Sequence, residues 1–369
     1  MSRYSLVLCW LAVALCVTAA LSFGAAADLA SLKAGKADLK SAGALAFGPD
    51  GILFVGDSMN ASIVAIDTND RTPAKPGGKI EIRAINQKIA AMLGTTPDQI
   101  LVNDAVVNPI SQNVYLSVHR GKGPDAVPVI LRADSTGQIT EVSLANVKHS
   151  TASLPNAVPA DLKDRRGTPL RVDAITDIAY VNGNVYVAGL SNEEFASAFR
   201  MIPFPFQQAG PGAGIEIYHG SHGRFETNAP IRTFVPYNVG NQPSILAAYT
   251  CTPLVRIPTA ELKPGSKVKG VTIAELGSGN RPLDMIVYNK GGRDYLLMAN
   301  SSNGVQKLAI VGFDKAQPIN SPISGTSGVP FELIPDLKGV QQLDKYDDNN
   351  ALLLTDAGGT LDLRTIPLP

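Results

Sequence analysis

Hydrophobic and polar positions along this chain change over in short runs. ILFVGDSMNASIVAIDT, VYLSVHRGKGPDAVPVILRAD, VYVAGLSNEEFASAFRMI, ILAAYTCTPLVRI, YLLMANSSNGVQKLAI and ALLLTDAGGTLDLRTI each hold an apolar strand, a polar break and a second apolar strand. Short apolar or alternating runs cut by Gly, Pro, Asn and Asp are the pattern of antiparallel strands rather than helices. Only INQKIAAMLG, residues 85–94, repeats its apolar positions at helical spacing, with Ile85, Ile89, Met92 and Leu93 on one face and Gly94 as a stop. The class is all-β.

Six such copies follow one another. Ahead of most lies a further strand ending in a tight turn (ALAFGPDG, AVVNPISQN, ITDIAYVNGN, MIVYNKGGRD, LDKYDDNN), and behind several lies another candidate strand (KIEIRAI, QITEVSLA, IEIYHG, VKGVTIAEL, PFELIPDL). Pro-Asp-Gly, Asn-Gly-Asn and Lys-Gly-Gly suit hairpins because Gly and Asn adopt the positive φ these turns need. A repeated four-stranded antiparallel unit cannot bury both faces alone, and radial stacking into a β-propeller solves that. The count predicts six blades, with seven as the alternative.

The repeats are longer than the roughly 40–45 residues of a compact four-stranded unit, which predicts insertions near 84–99, 145–171 and 193–214. The last copy runs out of chain with three strands. The segment ADLASLKAGKADL is therefore expected to supply its outer strand and close the ring.

The first residues hold one early cation, Arg3, an apolar core from Leu6 to about Phe23, and small residues at Ala25 and Ala27. This is the pattern of a secretory signal over residues 1–27, cleaved before Asp28, and it predicts a periplasmic or secreted propeller domain over 28–369. Cys9 and Cys16 leave with that segment, so Cys251 stands alone and no internal disulfide framework is expected. With 32 basic and 32 acidic residues in the whole chain, there is no electrostatic footprint for nucleic acid, and none for a membrane surface once the signal is removed.

AGALAFGPDGILFVGDSMNASIVAIDT resembles a blade of the NHL, SMP-30 and YncE-like periplasmic propellers, a likeness of repeat pattern over most of the mature chain. The SMP-30 resemblance implies a lactonase-type hydrolase with a divalent cation, such as calcium, held by oxygens at the channel mouth. The matching strand exits here offer Asp57, Asn192, Asn300 and Asp356, and other inner-strand candidates are Asp104, Asp173, Asp177 and Asp284. Carboxylate and amide oxygens suit a hard cation. The same residues also end strands by bonding to nearby backbone, and the Glu expected early in the first blade has no counterpart in AGALAFGPDG.

Other chemistry is thinner. Gly56-Asp57-Ser58 resembles the nucleophile block of the GDSL esterases, but no His follows His222 and no Asp stands three before any His, so a serine nucleophile lacks its base. His219 and His222 in HGSH are close in sequence, yet i, i+3 spacing on a strand or turn is not expected to put both rings on one face. The absence of C-x-x-C-H excludes covalent c-type haem.

His119 and Cys251 occupy strand exits like that of Asp57 and join the channel-mouth candidates. Cys251 is open to reading as a ligand, a reactive thiol, half of an intermolecular disulfide, or a small buried apolar residue. Phe195, Phe199, Phe204 and Phe206 concentrate aromatic surface in one stretch, which either anchors a protein partner or plugs the protein's own fold. No complete catalytic set assembles. The leading expectation is a binding or scaffold module for a protein partner or small ligand, with the lactonase-type hydrolase and an accessory subunit of a periplasmic redox enzyme as alternatives.

Overall fold

In the computed structural model, which describes residues 29–369, the chain forms six antiparallel sheets arranged as a six-bladed β-propeller. The predicted signal segment, residues 1–27, lies outside the described residues. From the axis outward, blade 1 is Leu45–Phe47, Ile52–Asp57, Ser62–Asp67, Val147–Ser153 and Lys33–Gly35, and blade 2 is Ile100–Val107, Val114–Arg120, Val127–Ala133 and Ile139–Glu141. Blade 3 is Asp177–Val181, Asn184–Leu190, Ser197–Pro203, Ala213–His219 and Arg224–Glu226, with Lys267–Lys269 added in parallel to its fourth strand. Blade 4 is Thr233–Val239, Gln242–Ala248, Pro253–Pro258, Val271–Leu276 and Thr326–Gly328. Blade 5 is Pro282–Lys290, Arg293–Asn300, Gly304–Ala309 and Glu332–Ile334; blade 6 is Val340–Lys345, Asn350–Asp356, Leu361–Pro367 and Glu81–Ile82.

The period of two explains the stacking. Leu296 and Met298 face blade 4 while Leu297 and Ala299 face blade 6, and all four are fully buried. Leu53 and Val55 likewise face blade 2 while Ile52 and Phe54 face blade 3. A strand packed on both faces must be apolar at every position, which is why the second strand of each copy reads as an unbroken apolar run.

The interblade cores also fix the order of the ring, and it is not the order of the chain. Apolar clusters join blades 1 and 3, 3 and 4, 4 and 5, 5 and 6, 6 and 2, and 2 and 1. After four strands of blade 1 the chain crosses to lay Glu81–Ile82 along Leu361–Pro367 of blade 6, with Ile82 opposite Leu363. It then builds blade 2 and returns to add Val147–Ser153 to blade 1 before starting blade 3.

The ring is therefore closed by Glu81–Ile82, not by the start of the described chain. Lys33–Gly35 instead edges blade 1, because blade 1 sits between blades 2 and 3, away from blade 6. KIEIRAI, expected behind the first copy, serves the last one.

Two of the three predicted insertions contain blade strands. Val147–Ser153 lies in 145–171, and Ser197–Pro203 lies in 193–214. The third, 84–99, holds the helix Ile85–Leu93, whose Ile85 and Ile89 pack between blades 2 and 6. Gly94 ends it in the left-handed region at φ 66°. Met92, expected on the apolar face, is exposed. No described helix is long and apolar enough to cross a membrane.

Candidate functional site

The innermost strands begin at the channel mouth, and four of the six carry an aspartate: Asp104, Asp177, Asp284 and Asp344. Each is held in the same way. One carboxylate oxygen accepts from the amide of the following residue (Ala105, Ile178, Met285, Lys345), at 2.7–2.8 Å. The other accepts from an amide of the next blade round the ring (Leu45, Phe234, Leu343, Val107), at 2.7 Å in every case. An innermost strand leaves one row of N–H groups unpaired, and these carboxylates satisfy part of it while stapling neighbouring blades. Register shifts at Val102/Asp104 and Pro282/Asp284 break the ladder where two of the aspartates project.

Two cavities of about 660 and 630 Å³ occupy the channel, and Asp104, Asp177 and Asp284 line both. These three carboxyls form the waist, with Asp344 on the side of the larger cavity. Burial raises Asp104 and Asp177 to about 7 and Asp344 to about 6; burial, then the charges of Asp104 and Asp177, holds Asp284 well above the usual carboxylate range.

The mouth cavity is lined above this waist by Arg232, Arg281, Thr233, Asn103, Gln341, Gln342 and Asp356. Arg232 forms a bidentate pair with Asp173 at 2.7 and 3.2 Å. Among the described residues the Arg281 side chain has no direct hydrogen bond or ion pair; burial and then the charge of Arg232 hold its guanidinium below its ordinary value, against the smaller opposing effect of Asp173. The mouth thus holds Arg232, paired with Asp173, beside Arg281, with Asp98 and Asp356 elsewhere on the lining.

The six strand-exit candidates do not form a ring around this channel; of them only Asp356 lines a cavity there. Asp57 is fully buried and accepts from Lys40 N, Ser41 N, Ser41 Oγ and both nitrogens of Asn60, which locks the N-terminal segment onto blade 1. His119 Nε2 accepts from Ala42 N at 3.1 Å, and burial lowers its pKa. Asn192 is exposed and uses its backbone N–H on Asn156 O. Asn300 is buried, with Nδ2 donating to Gln306 Oε1 and Met298 O. Asp356 accepts from Gly359 N at 2.6 Å in its own turn. The oxygens proposed for calcium, on Asp57, Asn192, Asn300 and Asp356, serve separate local structures rather than one point.

The phenylalanines are used inside the fold. Phe199 and Phe204 are buried, in the cores between blades 3 and 4 and between blades 1 and 3. Phe206 packs on Phe54 and Phe204, and Phe195 lies beneath Lys267 Nζ at 4.9 Å. Phe199 and Phe204 thus belong to the fold's own cores, while Phe195 and Phe206 are half-buried. Ser58 Oγ donates to Ile175 O and accepts from Ile175 N, which makes it a structural bridge to the segment entering blade 3.

Cys251 has different neighbours. Its Sγ and one ring nitrogen each of His219 and His222 lie within 4.8 Å of one another, and among the described residues this is the one group of three or more His, Cys, Asp or Glu donors so close. The expectation that HGSH would splay its rings is corrected here. Gly220–His222 is a 3₁₀ turn that starts directly after His219, and in a 3₁₀ helix residues i and i+3 eclipse. The ring centroids consequently lie 3.8 Å apart.

Sequence reasoning named neither Asp344 in the channel nor the mouth arginines Arg232 and Arg281. For Asp344 the signal was an aspartate in the innermost strand of four repeats (NDAVV, TDIAY, LDMIV, LDKY).

No family model and no curated protein matches the sequence. Solved structures match it only at low similarity. They include one titled mitotic checkpoint complex, at 11% identity over 90% of this chain and 92% of that one, TM-score 0.39. A second is the PQQ-bound aldose sugar dehydrogenase of Streptomyces coelicolor, at 13% over 90% and 96%, TM-score 0.32. A third is a streptogramin B lyase, at 10% over 91% and 97%, TM-score 0.32.

Proposed function

We propose that this chain is an exported binding module whose channel mouth takes a small polar ligand with an anionic group. The observation that carries the reading is the unpaired Arg281 beside Arg232 in a cavity of about 630 Å³. Two adjacent guanidinium groups repel, Asp173 bonds directly to Arg232 and reaches Arg281 only through its charge, and a ligand carboxylate supplies the missing direct partner through the bidentate geometry Arg favours. Below it, Thr233, Asn103 and Gln342 offer hydroxyl and amide groups, and waist carboxyls raised to about 7 bind hydroxyl or amino groups in either protonation state. Each waist carboxylate is already committed to two backbone amides, which favours a role in holding a ligand over one in attacking it.

Titration calorimetry of the mature chain against small hydroxy acids, amino acids and their uncharged amides tests this. Binding is expected for acids and not for amides, and Arg281→Ala is expected to weaken it roughly 10- to 100-fold, the worth of a hydrogen bond to a charged group. Equal binding of acid and amide, or an Arg281→Ala variant that binds as well as the parent, overturns the reading.

A further inference from the structure

We propose that His219, His222 and Cys251 form a transition-metal site that holds zinc, oriented by Glu226, at the junction of blades 3 and 4. The inference is independent of the channel reading. It starts from the donor set: two imidazoles and one thiol with their ligand atoms within 4.8 Å of one another. Tetrahedral zinc bonds nitrogen at about 2.0–2.1 Å and sulfur at about 2.3 Å, so donors at that spacing need draw in by only about an ångström. The nitrogen and sulfur donors suit a borderline-soft ion and not calcium or magnesium.

The second observation is the carboxylate behind the imidazoles. Glu226 Oε2 lies 2.8 Å from His219 Nδ1, and Glu226 Oε1 lies 2.8 Å from His222 Nδ1. A carboxylate on Nδ1 fixes the proton there and leaves Nε2 as the lone-pair donor, the outer-shell arrangement of metal-bound histidines. Here one carboxylate does it for both rings, and Arg224 Nε holds that carboxylate at 3.0 Å.

A third observation is unmet polarity. Among the described residues, His219 is 2% exposed and its Nε2 has no partner; Glu275, 1% exposed, accepts from Gly220 N at 2.6 Å with one oxygen and leaves Oε2 without a partner. Buried polar atoms are rarely left unpaired. A metal on Nε2 removes the first deficit, and Glu275, whose charge interacts with that of His222, lies outside the group of three donors but in its surroundings.

The backbone at Cys251 points the same way. Cys251 and Thr252 both have positive φ, 65° and 58°, in a hairpin loop where Asn-Gly would sit without strain. The strained pair is held by Cys251 N to Asn280 O at 2.6 Å and Thr252 Oγ1 to Gly277 O at 2.7 Å. Backbone strain of this kind gathers at functional sites, and here it carries the thiol. Cys251 is half-buried and the His222 side chain is 41% exposed, so an ion can enter from solvent.

The test uses the full mature chain, purified reduced and without chelator, with metal content measured by mass spectrometry and with Zn²⁺ alone and Co²⁺ alone as probes. One zinc per chain is expected, and cobalt is expected to give a thiolate-to-metal charge-transfer band. Cys251→Ser should abolish that band. Cys251→Ser and His222→Ala, at the two more accessible ligands, should each weaken zinc at least about 100-fold, and Glu226→Gln about 10- to 100-fold. Thermal melts without metal establish that the variants are folded. The proposal is overturned if folded parent protein takes up no zinc, if Cys251→Ser and His222→Ala bind zinc as tightly as the parent, or if copper binds in its place while zinc does not.

Discussion

Replacing Asp177 by Asn should cost less stability at pH 8 than at pH 5, and the sign follows from the waist. Burial raises the Asp177 carboxyl from 3.8 to about 7. Between those values the folded chain holds a proton that the unfolded chain has lost, so this group's contribution is fully present below about pH 4 and is lost as pH rises through about 7. A shift of that size corresponds to at most about 4 kcal/mol. Asp177 also lines both water-accessible cavities, which screens it to the order of 1–2 kcal/mol. His119 and His219 run the other way, because burial lowers both, so the net slope of the parent protein does not isolate the waist. The difference between parent and Asp177→Asn does. At pH 5 the variant loses one acceptor for the Ile178 or Phe234 amide, worth about 1–3 kcal/mol. At pH 8 it escapes burying a charge, and the cost should shrink by about 1–2 kcal/mol. Urea unfolding at pH 5, 6, 7 and 8, followed by far-ultraviolet circular dichroism, measures it. A cost at pH 8 equal to or larger than that at pH 5 would refute the reasoning.

Two further outcomes test the fold and the discarded nucleophile. Ile82→Ala, in the two-residue strand that closes blade 6, should cost about 2–5 kcal/mol, whereas Ala34→Pro on the exposed edge of blade 1 should cost about 1 kcal/mol or less; the reverse ranking in urea melts would restore closure by the N-terminal segment. Ser58→Ala should cost about 1–3 kcal/mol by stranding both backbone groups of Ile175, and covalent labelling of Ser58 by a fluorophosphonate would contradict its structural role.

The blades were legible because their signal is local. Strands such as Leu296–Ala299 are buried on both faces, and that leaves an apolar run bounded by turns whatever lies around it. The ring order was not legible, because an apolar strand carries no address. Ile82 and Leu363 meet across most of the chain through a two-residue pairing, and the polar string VKHSTAS looks like a loop although it pairs with Ser62–Asp67. Outer strands are short and mixed in composition since only the inner ones are fully enclosed, so the sequence pattern weakens where topology is decided.

The same contrast separates the candidate residues. Strand exits looked alike in sequence, and Asn300 and Asp356 do share a local situation in which each side chain serves nearby groups, whereas Asp57 joins its own turn to the segment at Lys40 and Ser41. What distinguishes Cys251 is a neighbour that no spacing rule supplies: the 3₁₀ turn after blade 3's fourth strand brings two histidines to it from another blade. The channel aspartates show the converse. Their positions recur from repeat to repeat, yet their meaning depends on the next blade, whose amide each carboxylate reaches. A residue whose partner lies in its own turn is readable from sequence as a cap. One whose partner lies across a blade interface becomes readable only once the ring order is known, and both the waist carboxyls and the His–His–Cys cluster belong to that second kind.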